Sequence, residues 1–288
     1  MTLAPWFRLV RFTHSVFALP FALMSAWLAA GGVPQMRTFA LIVLCAVAAR
    51  TAAMGFNRWL DRGLDRANPR TAGRELPRGV LSPGPVMVLV LAASLVFVTA
   101  AFALNAPCGW LSLPVLAVLL SYSAMKRVSW LSHAVLGLSL GIAPLGAWLA
   151  VRGDFSGDLL LPILLALGVT TWVAGFDLIY SCQDVDFDRA AALYSVPARF
   201  GVEAALGGSS ALHLLTFLCL VAVAARAELG LAFHLVLGAA ALLLVWQHRI
   251  VKPGDLTHVD MAFFTLNGWI SIGLFLGAAL DLGTRGGA

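Results

Sequence analysis

The chain alternates long apolar blocks with short polar connections. The blocks approach 20 residues, the length that crosses a bilayer as a helix, and they lack the short alternation of soluble core strands. Nine such spans are predicted: Phe12–Ala30, Thr38–Leu60, Pro85–Leu104, Cys108–Ala124, Leu131–Val151, Leu159–Cys182, Ala204–Arg226, Leu229–His248 and Val259–Leu282. The fourth is the shortest and contains Pro114. Only helices or closed barrels satisfy their backbone groups within hydrocarbon, so the pattern predicts an all-α membrane protein, one domain over residues 1–288. The first block is followed by eight more and reads as a span, not as a cleaved signal peptide.

Composition agrees. Hydrophobic residues make up 60% of the chain and charged residues 11%, against about 25% charged in an ordinary soluble domain. Of the nineteen Lys and Arg residues, fourteen fall at the N-terminus and in the connections after spans two, four, six and eight; Arg37, Arg152, Arg226 and Arg285 fall on the other side, and Arg50 lies inside span two. This asymmetry predicts a cytoplasmic N-terminus and an outside C-terminus. The net charge of +5 then belongs mostly to the cytoplasmic face, where it sets topology and meets anionic lipid. It offers no soluble basic surface for nucleic acid. Cys45, Cys108, Cys182 and Cys219 form no CxxC pair and read as small core residues.

Two cytoplasmic connections carry chemistry. In the first, Asn57, Asp61 and Asp65 are spaced by four and share a face if the helix continues past the membrane edge. In the second, Tyr180, Asp184 and Asp188 have the same spacing, with Asp177 one turn earlier and Asp186 between. Like charges at i and i+4 destabilise a helix. A divalent cation relieves this: magnesium accepts one or two carboxylates and takes further ligands from phosphate oxygens. The plainer alternative pairs each Asp with a neighbouring Arg at a solvated helix end. Arg50 is the second anomaly, because an intramembrane cation is a functional candidate by default. It precedes Asn57 by two turns and is expected to face a cavity above the first cluster; pairing with Asp177 is the alternative. Lys126, at the end of span four, is placed to meet a phosphate or a carboxylate. Thr13-His14 opens span one.

These residues resemble the UbiA superfamily of intramembrane prenyltransferases. The resemblance rests on Asn57-x3-Asp61-x3-Asp65 and Tyr180-x3-Asp184-x3-Asp188 after spans two and six of nine. The segments Asn68-Pro69-Arg70-Thr71, with Arg74 and Pro77, and Ser195-Val196-Pro197-Ala198-Arg199-Phe200-Gly201 add to it. It implies nine transmembrane helices around a central cavity open to membrane lipid. It implies magnesium and a polyprenyl diphosphate held by Asn57, Asp61, Asp65, Asp184 and Asp188, with Arg50 lining the same pocket and Lys126 and Arg74 near the phosphates. Asn57-Arg58, Thr13-His14 and Gln183-Asp184 are similar to a branch labelled 4-hydroxybenzoate polyprenyltransferase, members of which are linked to the 1,4-dihydroxy-6-naphthoate step of menaquinone formation. The implied partners are a polyprenyl diphosphate and a hydroxylated aromatic acid, and the implied place is a bacterial inner membrane.

The chemistry expected of such a set is an electrophilic alkylation. Bound magnesium and cationic side chains stabilise the departing diphosphate, and the hydroxylated ring attacks the allylic carbon. Asp184, Asp188 and the diphosphate itself are all candidates for accepting the ring proton. A transporter, the rival class, would place its charges near the bilayer midplane; here the acids gather at one face. A CDP-alcohol phosphotransferase would carry a contiguous Asp-Gly-Ala-Arg-like signature, which this chain lacks, and nothing points to a tetrapyrrole acceptor.

Overall fold

A computed structural model describes residues 4–10 and 17–285. Arg11, Thr13 and His14 lie outside the described residues. After the short α1 (Ala4–Val10) come α2 (Leu19–Ala30), α3 (Met36–Ala67), α4 (Pro83–Leu104), α5 (Ala106–Met125), α6 (Ser132–Arg152) and α7 (Leu160–Ser181). A 3-10 turn, Cys182–Asp184, leads into α8 (Val185–Ala190) and α9 (Val196–Phe200), followed by α10 (Val202–Arg226) and α11 (Leu231–Ile250). A π-helical segment, Met261–Leu266, opens α12 (Asn267–Arg285).

Among the described residues, eight helices are long and apolar enough to cross a membrane. They match eight of the nine expected spans to within a few residues, except where α3 runs on for 32 residues to Ala67. Of the remaining span, expected over Phe12–Ala30, the described part is a turn at Phe17 and Ala18 followed by the 12-residue α2; residues 12–16 lie outside the described residues. The weak fourth span is a full 20-residue helix despite Pro114; within a membrane, neighbouring helices compensate a proline's missing bond. Asn105 caps it by accepting from the Cys108 N–H at 2.8 Å, and its amide donates to the Leu149 carbonyl at 3.0 Å.

Helices α3, α4, α5 and α6 pack in succession, α5 also meets α3, and α2 lies against α6. From α6 the chain continues through α7, α10, α11 and α12, which returns to α2. The span that begins with α7 is the most enclosed of the eight, with 67% of its apolar window buried. It can approach α6 closely because Gly137 and Gly141 present no side chain: a Cβ at Gly141 would stand 2.0 Å from the Thr170 hydroxyl, and one at Gly137 2.3 Å from the Thr170 carbonyl. Small residues at helix contacts are the usual packing device in lipid. Large apolar side chains such as Leu91, Leu95, Leu235 and Leu242 point outward, as a lipid-facing surface requires.

The second motif departs from its expected regularity. The α-helix ends at Ser181 and tightens into the 3-10 turn before α8. Tyr180, Asp184 and Asp188 therefore do not share one continuous helix face. The π-segment opposite has a visible support: Asn267 donates to the Ala262 and Phe263 carbonyls at 2.9 and 3.0 Å and accepts from the Trp172 indole at 2.8 Å. Such bulges recur at functional sites, and this one sets Phe263 against the Tyr180 ring, 4.3 Å between centroids.

Candidate active site

Because α3 continues past the apolar block, Asn57, Asp61 and Asp65 do share a face. Asn57 donates to Asp61 at 3.2 Å. Asp61 and Asp65 are buried, at 2% and 5% exposure, and a buried carboxylate demands partners. Asp61 receives Lys126 at 2.5 Å and Arg127 at 2.6 Å, both from the end of α5. Asp65 receives Arg74 at 2.6 Å and lies 3.9 Å from Arg58. The plainer expectation, a solvated helix end with each Asp paired to a neighbouring Arg, is met only in part: Asp65 pairs with nearby Arg74, but both carboxylates are buried and Asp61 takes its cations from the end of α5.

The connection after α3 builds the bridge to the second motif. Asn68 accepts from the Arg70 N–H through its side chain at 2.9 Å, and the Thr71 hydroxyl donates back to the Asp65 carbonyl at 3.1 Å. An Asx turn of this kind folds the backbone locally. It sends Arg70 to Asp184, where two guanidinium nitrogens donate to the carboxylate, while Asn68 adds a third bond at 3.0 Å. Arg70 also donates to the Tyr180 hydroxyl at 2.7 Å and lies over its ring at 5.0 Å. Burial opposes the Arg70 charge, but its hydrogen bonds to Asp184 and Tyr180 and the Asp184 charge outweigh burial and raise its pKa above the ordinary arginine value. Asp188 accepts from the Ser195 hydroxyl at 2.8 Å.

Asn57, Asp61, Asp65, Arg70, Arg74, Lys126, Tyr180, Asp184 and Asp188 all line one polar pocket of about 230 Å³. Beside it lies a larger apolar cavity of about 500 Å³, bounded by α2 to α6 and reaching Asp154 and Phe155 beyond the far end of α6. Tyr122 and Leu136 line both. Arg50 lines the apolar cavity, as its position two turns before Asn57 leads one to expect. It is not the partner of Asp177, which instead meets His133 at 2.7 Å. Asp186 is exposed and lines neither cavity. Arg127 and His133 carry no distinguishing signal in the sequence, and Asn68 and Arg70 carry only their place in a resembling segment. No spacing marks them, because each reaches its partner across the fold.

Among the described residues no three His, Cys, Asp or Glu side chains are grouped to hold a metal by themselves. The donor set does fit magnesium bound through one or two carboxylates with phosphate oxygens completing the shell. The pocket offers hard carboxylate oxygens, and buried Asp65 Oδ2 has no hydrogen-bond partner.

Residues 18–269 match the UbiA prenyltransferase family. The 4-hydroxybenzoate octaprenyltransferase of Pseudomonas aeruginosa is 32% identical over 269 residues, covering 91% of this chain and 87% of the relative. The apo structure of a UbiA homologue from Aeropyrum pernix K1 superposes with a TM-score of 0.83 at 32% identity, covering 91% of this chain and 97% of the other. A UbiA homologue from Archaeoglobus fulgidus, solved bound to GPP and Mg2+, shares the fold at 18% identity, with a TM-score of 0.68 over 96% of this chain and 99% of the other. With the matched region spanning most of the chain and its helices enclosing adjoining polar and apolar cavities, this protein is a membrane-embedded member of the UbiA prenyltransferase family.

Proposed function

We propose that the chain moves a polyprenyl group from polyprenyl diphosphate to a hydroxylated aromatic acid, with 4-hydroxybenzoate as the acceptor, in quinone biosynthesis, and that the site faces the cytoplasm of a bacterial inner membrane. The observation that carries this reading is the junction of the two cavities. A pocket ringed by carboxylates and cations suits a metal-bound diphosphate, and the adjoining apolar cavity suits an isoprenoid tail. The acceptor is the one named in the P. aeruginosa relative.

In this reading Asn57, Asp61, Asp65, Asp184 and Asp188 hold magnesium and, through it, the diphosphate. When bound, the metal supplies Lewis-acid stabilisation of the leaving group. Lys126, Arg70 and Arg74 exchange part of their bonding from aspartate to phosphate oxygens and neutralise the charge that grows as the allylic C–O bond breaks. The apolar walls keep water from the allylic cation. Arg50 orients the acceptor by its carboxylate, so that a ring carbon beside the hydroxyl forms the new C–C bond. The ring proton leaves toward the polar pocket, where Asp184, Asp188 and the departed diphosphate are acceptors.

The test is turnover by purified protein with magnesium and radiolabelled polyprenyl diphosphate. Lipid-soluble product from 4-hydroxybenzoate, abolished by EDTA, is the expected result. Product from 1,4-dihydroxy-6-naphthoate alone would reassign the acceptor; Asn57-Arg58 and Gln183-Asp184, the segments similar to the menaquinone-linked branch, motivate that arm. Substrate uptake into proteoliposomes without chemistry would replace the enzyme reading with a transporter.

A further inference from the structure

Three hydrogen bonds pin the segment 194–196 beside the polar pocket. The Tyr194 N–H donates to the Lys126 carbonyl at 2.7 Å, the Ser195 hydroxyl donates to Asp188 at 2.8 Å, and the Val196 N–H donates to His133 Nε2 at 3.3 Å. Ser195 is also the N-cap of α9, accepting from the Ala198 N–H at 3.3 Å. Val196 is then the first residue of that helix, and its N–H has no partner within the helix. His133 supplies one.

The Val196 N–H can only donate, so Nε2 is the acceptor in this bond, and Nδ1 faces the Asp177 carboxylate at 2.7 Å. His133 is buried, at 6% exposure. A buried imidazole with one nitrogen on a carboxylate and the other on a backbone amide is oriented on both sides. Asp177, His133, Ser195 and Asp188 all line the polar pocket. The chain of contacts runs from α7 through the start of α6 to the segment before α9, and ends on a carboxylate of the second motif.

We infer that His133, held by Asp177, is a positioning residue that fixes Val196 and Ser195 and through them the Asp188 carboxylate. The inference rests on the reading of Asp188 as a ligand of the metal and diphosphate. It assigns Asp177 and His133 a part in building the site and gives neither of them the transfer of a proton to or from substrate. Both imidazole nitrogens are engaged within the protein.

The discriminating experiment uses the full-length protein in detergent, with Mn2+ and inorganic pyrophosphate as probes and electron paramagnetic resonance of the manganese as readout. Glutamine at 133 can place an amide oxygen near the position of Nε2 and keep the bond to Val196. Asparagine reaches only Asp177, and alanine neither. His133→Ala and His133→Asn are expected to weaken manganese–pyrophosphate binding by about tenfold, the scale of one net hydrogen bond, with His133→Gln restored to within about twofold. Thermal melting of each variant separates this from loss of fold. Turnover of His133→Gln should recover in parallel, an outcome that an acid–base role would forbid. Wild-type binding retained in folded His133→Ala, or a folded His133→Gln as weak as His133→Ala, would overturn the inference alone. Wild-type protein that binds no manganese–pyrophosphate would overturn the diphosphate reading beneath it as well.

Discussion

Arg70 and Asp184, 114 residues apart in the chain, meet through two hydrogen bonds from one guanidinium to one carboxylate. This joins the connection after α3 to the 3-10 turn that follows α7, and so ties the first aspartate motif to the second. A planar fork suits such a link, because it satisfies both carboxylate oxygens and leaves a further N–H for the Tyr180 hydroxyl at 2.7 Å.

Replacing Arg70 should therefore damage the site even when its charge is kept. Arg70→Lys removes the two-point geometry, and Arg70→Ala removes the charge-assisted bonds, each worth roughly 1.5–3 kcal/mol. Turnover is expected to fall about tenfold or more in the first and further in the second, at about 1.4 kcal/mol per tenfold. Steady-state kinetics with varied prenyl diphosphate measures it; a lysine variant of unchanged turnover would remove the fork from the mechanism.

Asp61→Ala and Asp184→Ala test the proposed metal ligands. Each should lose turnover on the order of 100-fold, the scale of losing one preorganised electrostatic group, and excess magnesium should recover little of it. Asp61→Ala should also lower thermal stability, since it leaves Lys126 and Arg127 without their shared carboxylate. The loss should be modest, because both cations are about one-third exposed and solvent screens them. Normal turnover in both variants would sink the assignment.

Arg50 should separate the two substrates. Lining the apolar cavity beyond the aspartates, it is proposed to meet the acceptor's carboxylate. Arg50→Leu is expected to raise the acceptor KM about tenfold or more, for a lost charge-assisted contact of at least about 1.5 kcal/mol, while the prenyl diphosphate KM stays near its original value. A rise confined to the prenyl diphosphate KM would move Arg50 to the phosphate end.

Gly141→Ala probes packing away from the aspartates. The added Cβ would meet the Thr170 hydroxyl at 2.0 Å and the Ala166 carbonyl at 2.7 Å, so α6 and α7 must part. Overpacking of this kind costs about 1–3 kcal/mol, read as a lowered melting temperature in detergent. Gly146→Ala on the same helix, where a Cβ meets nothing within 4 Å, should melt close to the parent.

Much of the architecture was legible without tertiary information. Lipid imposes one local rule, an apolar run near 20 residues, and eight helices obey it where the blocks predict. The first cluster was equally open, because Asn57, Asp61 and Asp65 lie on one uninterrupted helix and their shared face follows from its period. Arg50 falls on the cavity for the same reason. Regularity misled at the second motif, where an identical spacing runs through a 3-10 turn and helical period no longer says which way a side chain points.

By itself, then, the sequence determined the all-α membrane class, the approximate spans and the shared face of Asn57, Asp61 and Asp65, since each depends on residues close along the chain. The fold alone decided how those charges are balanced. Lys126 and Arg127 reach Asp61 from α5, Arg74 turns back to Asp65, Arg70 crosses to Asp184, and Asp177 takes His133 in place of Arg50. A buried charge requires a partner, but which of nineteen basic residues supplies it depends on helices brought together by packing, and no pattern of spacing records that choice.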